Sequence, residues 1–172
     1  MLGGLAAGVA TLLAAGCASP KRTAAKQLLE SIAKANRRHS IARKKFTDIV
    51  SARLQESATT TDDDVAAGLE KLKAETRTIQ EESEAWPVPT EMEAESLMID
   101  CRRVFQSRVR LLDDFSTPFL ETIRNPVLPP PQKLQKGGRM FESMTGADDS
   151  LNVDLRRAQR TYAGAMGVFS YE

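Results

Sequence analysis

The chain has 172 residues, of which 41% are apolar and 27% charged, so it is long enough for one domain with a hydrophobic core. Aromatic residues make up only 5%, which argues against a large aromatic-lined ligand pocket. The single histidine, His39, excludes any catalytic scheme that needs two imidazoles. The two cysteines, Cys17 and Cys101, are too few for a disulfide framework.

Charge is distributed in blocks along the chain, although the formal net charge is only +1. Residues 18–56 contain ten basic and three acidic residues, and residues 57–100 contain three basic and twelve acidic residues. Residues 101–172 are mildly basic, with eleven basic and eight acidic residues. Such blocks indicate that one segment neutralises another, or that one end of the protein faces an anionic surface.

The N-terminal residues 2–16 carry no charge and are rich in Gly, Ala and Leu. This run is shorter than the roughly 20 residues of a transmembrane helix and ends in small residues, as secretory signal peptides do. Its last residues and the cysteine that follows resemble the lipobox of bacterial lipoproteins: Ala14, Ala15, Gly16 and Cys17. The resemblance implies a signal peptide at 1–16, a lipidated Cys17, and a lipid-attachment segment and short tether at 17–20.

Two other interpretations of the N-terminus stay open. The run is either an apolar helix in which Cys17 is incidental, or a simple secretory signal cut after Ala18. Under the lipoprotein resemblance, the protein is held on a membrane by its acyl chains and faces the periplasm. In that family, an aspartate directly after the cysteine retains many proteins in the inner membrane. Because this chain has Ala18 there, the resemblance favours a location in the outer membrane.

Basic residues follow the cysteine closely. If Cys17 is lipidated, Lys21, Arg22 and Lys26 lie just above the bilayer and are candidate contacts for anionic headgroups. The alternative is that the basic first helix pairs with the acidic second segment. The basic run at 36–45 lacks the exposed, interleaved aromatic residues of a nucleic-acid-binding surface, so we expect no nucleic-acid partner.

Three long helices are predicted between residues 21 and 125. The first, about 21–56, contains no proline or glycine, and its apolar residues alternate at spacings of three and four, with His39 filling a vacancy in the series. The second follows a cap at Thr61 or Asp62 and stops at Pro87. For the third, Thr90 and Glu93 predict a capping box. At Pro118 we expect either a kink or a new helix start.

Residues 126–150 contain four prolines and three glycines, a composition typical of a linker or loosely docked segment. A last amphipathic helix is predicted at about 150–168. The fold class is therefore all-α, an elongated antiparallel three- to four-helix bundle with coiled-coil-like seams. The predicted bundle covers 21–125, and 126–172 forms a Pro/Gly-rich linker with a C-terminal amphipathic helix.

No motif in the chain points to catalysis, a metal or a cofactor. No Asp or Glu lies one helical turn from His39, so we interpret it as a partly buried or interfacial polar seam residue, a kind of position that can fix register or pairing. Cys101 is interpreted as a reduced core cysteine, with an intermolecular disulfide as the alternative. The run at 62–64 lacks the ligand spacing of a calcium loop and suits a helix start.

The sequence therefore predicts a lipoprotein that is not an enzyme. Its helical domain is expected to act through contact with an unidentified envelope protein or as a structural spacer, with self-association into a homo-oligomer left open. The alternative is a small binding module, similar to pilotin lipoproteins, that grips a peptide or helix of a secretion or envelope complex. An exposed apolar groove between helices 1 and 3, or a detachable helix at 150–168, would favour this alternative.

Overall fold

A computed structural model of the chain describes residues 19–55 and 59–168. Within these ranges the protein has no β-strand and folds into four α-helices: α1 (Pro20–Leu54), α2 (Asp62–Glu84), α3 (Met92–Arg124) and α4 (Pro130–Met166). The predicted all-α class is confirmed. The predicted lipobox residues and lipidation site lie outside the described residues: Ala14, Ala15, Gly16 and Cys17.

Consecutive helices run antiparallel and form a closed ring, because α4 also packs against α1. Arg53, near the end of α1, pairs with Asp62 at the start of α2 at 2.6 Å. Arg38, in the middle of α1, reaches Glu82 near the end of α2. The predicted elongated antiparallel bundle is therefore confirmed, and α4, with 37 residues, spans about 55 Å at 1.5 Å per residue.

Local capping explains where the first two helices begin. The Ser19 hydroxyl accepts a hydrogen bond from the backbone N–H of Arg22 at 3.3 Å. Thr61 and Asp64 form a reciprocal capping box at the start of α2, with distances of 3.1 and 2.8 Å. The capping box predicted for α3 is wrong: its N-cap is Glu91, which makes no side-chain capping bond, and Thr90 lies one residue too early to cap it.

The third helix does not restart at Pro118. It continues from Met92 to Arg124 with the proline inside it. The hydroxyl of Ser116 donates to the carbonyl oxygen of Leu112, and Thr122 donates to that of Pro118 at 2.8 Å. Both hydroxyls bond back to carbonyls of the preceding turn, and the helix is continuous although Pro118 has no N–H to donate to the carbonyl of Asp114.

The predicted linker at 126–150 is wrong for most of its length, since α4 begins at Pro130 and is continuous through Met166. Prolines 129–131 occupy its cap and first turn, where a missing N–H costs no helical hydrogen bond. Gly137 is buried on the face of α4 that packs against α3, where an added Cβ would lie 3.5 Å from Ile123 Cγ2. The C-terminal region is therefore an integral fourth helix of the bundle.

Two apolar cores fill the bundle, one toward each end. The first core contains the beginning of α1 and the end of α4, and its larger members are Leu29, Ile32, Ile79, Met98, Phe105 and Tyr162. The second core is built around an aromatic cluster of Phe46, Phe115, Phe119 and Phe141. The residues between these cores are polar, and they form the candidate site.

Candidate functional site

A polar layer crosses the bundle between the two cores. Each helix contributes one almost fully buried side chain to it: His39 from α1, Thr76 from α2, Arg108 from α3 and Asp148 from α4. Buried charges in a protein interior need partners, because an isolated charge is strongly disfavoured there. The layer meets this requirement through hydrogen bonds that link all four helices.

Arg108 is the centre of the layer and makes two hydrogen bonds. Its Nε donates to Asp148 Oδ1 at 2.9 Å, and one of its terminal nitrogens donates to Asn36 Oδ1 at 3.0 Å. Its guanidinium carbon also lies 5.9 Å from the centroid of the Phe105 ring, within range of a cation–π contact. Burial lowers the pKa of Arg108, and the charge of Asp148 opposes that effect.

Asp148 receives donors from three residues. Besides Arg108, the Arg43 guanidinium donates to Oδ2 at 2.8 Å, and His39 Nε2 lies 3.1 Å from Oδ1. Burial alone would raise the pKa of this carboxyl. The hydrogen bond from His39 and the nearby positive charges outweigh burial and hold the pKa of Asp148 at about 2. Asp148 is therefore an anion at neutral pH.

His39 connects α1 to α2 and α4. Its Nδ1 lies 3.1 Å from Thr76 Oγ1. Burial, followed by the charges of Arg108 and Arg43, lowers the pKa of His39 despite the opposing hydrogen bond to Asp148. We therefore assign a neutral ring that donates from Nε2 to Asp148. The Thr76 hydroxyl lies between Nδ1 and the carbonyl oxygen of Leu72, 2.8 Å away, and its one proton is shared between these two acceptors.

Of the four residues in the polar layer, only His39 was predicted from the sequence; its partners were not predicted. His39 fills a vacancy in the apolar series of the first helix. The structure confirms that it is a polar residue of the seam and shows that it is almost fully buried. Arg108 fills the equivalent vacancy between Phe105 and Leu112 in the third helix, a signal that could have identified it. Asp148 was not identified because it lies in the segment 126–150, which its composition predicted to be a linker.

The polar layer is closed to substrates. The space beside it, lined in part by Leu72, Leu111 and Met144, is too small to admit a water molecule. His39 and Asp148 form an imidazole–carboxylate pair, but neither reaches solvent and every polar atom of the pair is engaged. The arrangement can define which helices pair and in which register; it offers no place for a reaction.

Cys101 is a free thiol buried in the first core, and burial raises its pKa to about 12. This placement agrees with the predicted core cysteine, and the Cys101 sulfur is not exposed for an intermolecular disulfide. Within residues 19–55 and 59–168, no group of three or more His, Cys, Asp or Glu side chains is arranged to hold a metal ion.

The three candidate membrane-contact residues lie at the beginning of α1, and each has a contact within the protein. Lys21 Nζ lies 3.7 Å from Glu91 Oε1, and Lys26 Nζ lies 3.8 Å from Glu30 Oε1. The Arg22 guanidinium packs against Gly167 at the C-terminus of α4, where a positive charge complements the helix dipole. All three side chains are exposed.

Grooves between neighbouring helices follow the outside of the bundle. The groove between α1 and α2 has a volume of about 670 Å³, and its apolar floor includes Ile41, Phe46, Ile49 and Leu72. Gly68 contributes to this floor, where an added Cβ would lie 2.9 Å from Ile49 Cδ1. The groove between α3 and α4 has about 460 Å³, and, like the first groove, it is lined by charged as well as apolar residues.

None of the four described helices combines the length and apolar character needed to cross a bilayer. Comparisons of the chain with protein-family models, curated proteins and solved structures gave no match.

Proposed function

We propose that this chain is a membrane-anchored bacterial lipoprotein whose helical domain acts without catalysis, by contact with other envelope proteins or as a structural spacer. The observation that carries the proposal is the position of the lipobox-like sequence: α1 begins at Pro20, three residues after Cys17. Three residues span at most about 10 Å, so an acylated Cys17 would hold the bundle directly against the lipid.

The strength of such an anchor follows from its acyl chains. Each buried CH₂ contributes about 0.8 kcal/mol, so the two or three chains of a lipoprotein hold far more firmly than one. The protein then needs no membrane-spanning helix. We expect it to face the periplasm, with Ala18 favouring the outer membrane.

The bundle itself supports a role in contact or spacing. The buried His39, Arg108 and Asp148 side chains are bonded to one another in a closed layer, which gives no support to acid–base catalysis by them. Its helices project about 50 Å from the end at which α1 begins, a distance that suits a spacer between the membrane and a partner.

The experiment compares two cysteine variants of the full-length chain in a bacterium that processes lipoproteins. We expect Cys17→Ser to leave the precursor uncut and to move the protein out of the acylated membrane fraction, whereas Cys101→Ala changes neither. Mass spectrometry of the mature wild-type protein should find acylated Cys17 as its first residue. Unchanged processing and fractionation of Cys17→Ser would refute the proposal.

A second candidate function is the pilotin-like binding module, and the groove between α1 and α2 favours it. Ile41 is 52% exposed at the edge of this apolar groove. If a peptide or helix binds there, Ile41→Asp should abolish crosslinking to one stoichiometric envelope partner. Ile99→Asp is the matched control, because Ile99 is 61% exposed on α3 and does not line the groove. If Ile41→Asp crosslinks the partner with the same yield as Ile99→Asp, the partner does not bind in this groove.

A further inference from the structure

The connection between α2 and α3 presents apolar side chains to solvent. We use the name α2–α3 tip for residues 85–92. They comprise the connection after Glu84, the last residue of α2, and Met92, the first residue of α3. Met92 is 78% exposed and Val88 is 38% exposed. Trp86 is half-buried and makes an edge-on contact with Phe105, 6.1 Å between ring centroids, which ties the tip to the first core.

The tip lies at the end of the bundle where α1 begins. This follows from the antiparallel order of the helices and from direct contacts. Lys21 Nζ lies 3.7 Å from Glu91 Oε1 in the tip, and Leu28 lines a small groove together with Trp86 and Val88. The exposed apolar side chains and the residue that follows the tether are therefore neighbours.

We propose that the α2–α3 tip rests in the interfacial region of the phospholipid bilayer beside the acylated Cys17, so that the bundle stands end-on. This inference rests on the proposed lipid anchor. It adds a second, non-covalent contact between the protein and the membrane.

The short tether brings the α2–α3 tip within reach of the bilayer when the bundle stands end-on. Only Ala18 and Ser19 separate Cys17 from Pro20, so the end of the bundle cannot move more than about 10 Å from the lipid. Apolar side chains held this close to a bilayer gain free energy by leaving water. The acyl anchor also removes most of the entropic cost of bringing the tip to the surface, since the second contact is intramolecular.

Charge at this end does not by itself favour an anionic surface. Lys21 and Arg22 are accompanied by Glu84, Glu91 and Glu93, and Lys21 is paired with Glu91. The contact is therefore apolar. We expect it to be as strong on phosphatidylcholine vesicles as on vesicles that contain phosphatidylglycerol, and to be insensitive to salt.

The opposite end of the bundle supplies a matched control. Val127, in the connection between α3 and α4, is 85% exposed and thus comparable to Met92. The 33 residues of α3 separate the two ends by about 50 Å. A bundle that stands end-on keeps Val127 far from the lipid, whereas a bundle that lies flat brings both residues close to it.

The test uses full-length, acylated protein reconstituted into phosphatidylcholine vesicles that contain doxyl-labelled lipid. Met92→Cys and Val127→Cys are each labelled with an environment-sensitive fluorophore; acylated Cys17 and buried Cys101 do not compete for the label. We expect the doxyl lipid to quench the label at position 92 several-fold more than the label at position 127.

A second measurement needs no label, because Trp86 is the only tryptophan. In the same vesicles, the double substitution Val88→Asp and Met92→Asp should reduce quenching of Trp86 by the doxyl lipid. Val127→Asp should leave that quenching unchanged. Both variants should remain acylated and membrane-bound, since the covalent anchor is intact.

The outcomes separate the two proposals. Acylated protein in which position 92 is not quenched would overturn the tip contact and leave the anchor standing. Equal quenching at positions 92 and 127 would also overturn it, because the bundle would lie flat. An unacylated protein found only in the soluble fraction would overturn the anchor and, with it, the tip contact.

Discussion

Arg108 on α3 and Asp148 on α4 form a charged pair that is almost completely withdrawn from water. The Arg108 Nε donates to Asp148 Oδ1 at 2.9 Å, and the two side chains are 1% and 5% exposed. The pair lies between two apolar cores, at the one level of the bundle where all four helices exchange polar contacts. If a helix slid along its neighbour or paired wrongly, Arg108 and Asp148 would be buried apart from each other. Because that is costly, we expect the layer to favour one register of the helices.

Removing one partner of this pair should be strongly destabilising. We expect Asp148→Leu to lower the free energy of unfolding by about 3–5 kcal/mol, because it leaves Arg108 buried without a counter-charge. The double variant Arg108→Met with Asp148→Leu should recover much of that loss. Urea unfolding followed by circular dichroism measures both effects.

The control for this prediction is an exposed ion pair on α3, the helix that carries Arg108. Arg103→Met breaks the ion pair between Arg103 and Asp100, which is largely exposed, and should cost at most about 1 kcal/mol. If Asp148→Leu costs no more than Arg103→Met, the buried pair does not have the structural role assigned to it.

His39 should make stability depend on pH just below neutrality. Its pKa is lowered by folding, so the unfolded chain takes up a proton before the folded protein does as the pH falls. Stability should therefore decrease as the pH falls through about 6.5, by at most about 1.4 kcal/mol per pH unit. Urea unfolding at pH 7.5 and at pH 5.5 measures this change.

His39→Asn isolates this effect, because His39 is the only histidine in the chain. The variant is expected to be less stable at pH 7.5 but to lose little further stability at pH 5.5. A wild-type protein whose stability is the same at both pH values would contradict the assigned neutral ring. The lowered pKa of Asp148 adds a separate loss in stronger acid, between about pH 4 and pH 2.

Glycine substitutions test whether α4 is helical through its glycine-rich part. Gly138 and Gly146 lie inside the helix with open space around them, so Gly138→Ala and Gly146→Ala should each raise stability by about 0.5–1 kcal/mol. Gly167 ends the helix with φ of 64°, and Gly167→Ala should lower stability by about 1–2 kcal/mol. If residues 138 and 146 belonged to a linker, the first two substitutions would have almost no effect.

Cys101 should be unreactive in the folded protein. Its thiol is buried and its pKa is raised to about 12, so the reactive thiolate is scarce and shielded. We expect the disulfide reagent DTNB to modify it at pH 8 only after unfolding in urea, at a rate that follows the loss of helical signal. Rapid modification in buffer would show that the first core opens locally.

The first two helices were predictable because their determinants are local. The apolar spacing of the first helix and the Thr61 cap of the second depend on residues within a few turns of one another. The opposite charges of these helices also anticipated their pairing, as the contacts of Arg38 with Glu75 and Glu82 show.

The fourth helix was not predictable by the same reasoning, because its buried stripe contains residues that do not look like core. Gly137, Asp148 and Gln159 occupy inward positions of α4. Gly137 faces Phe119 and Ile123 of α3, and Asp148 faces the charge of Arg108. The neighbours of both residues thus lie on another helix.

By itself, the sequence determined the all-α class, most helix boundaries and the antiparallel pairing of oppositely charged helices. The lipobox resemblance at Cys17 stays a prediction from the sequence. Periodicity, caps and net charge act over short distances along the chain, so they can be read from it directly. Only the tertiary structure decided that α4 closes the ring and that His39 meets Asp148, 109 residues away. A buried polar residue is stable only with partners, and partners from different helices come together only when the bundle folds.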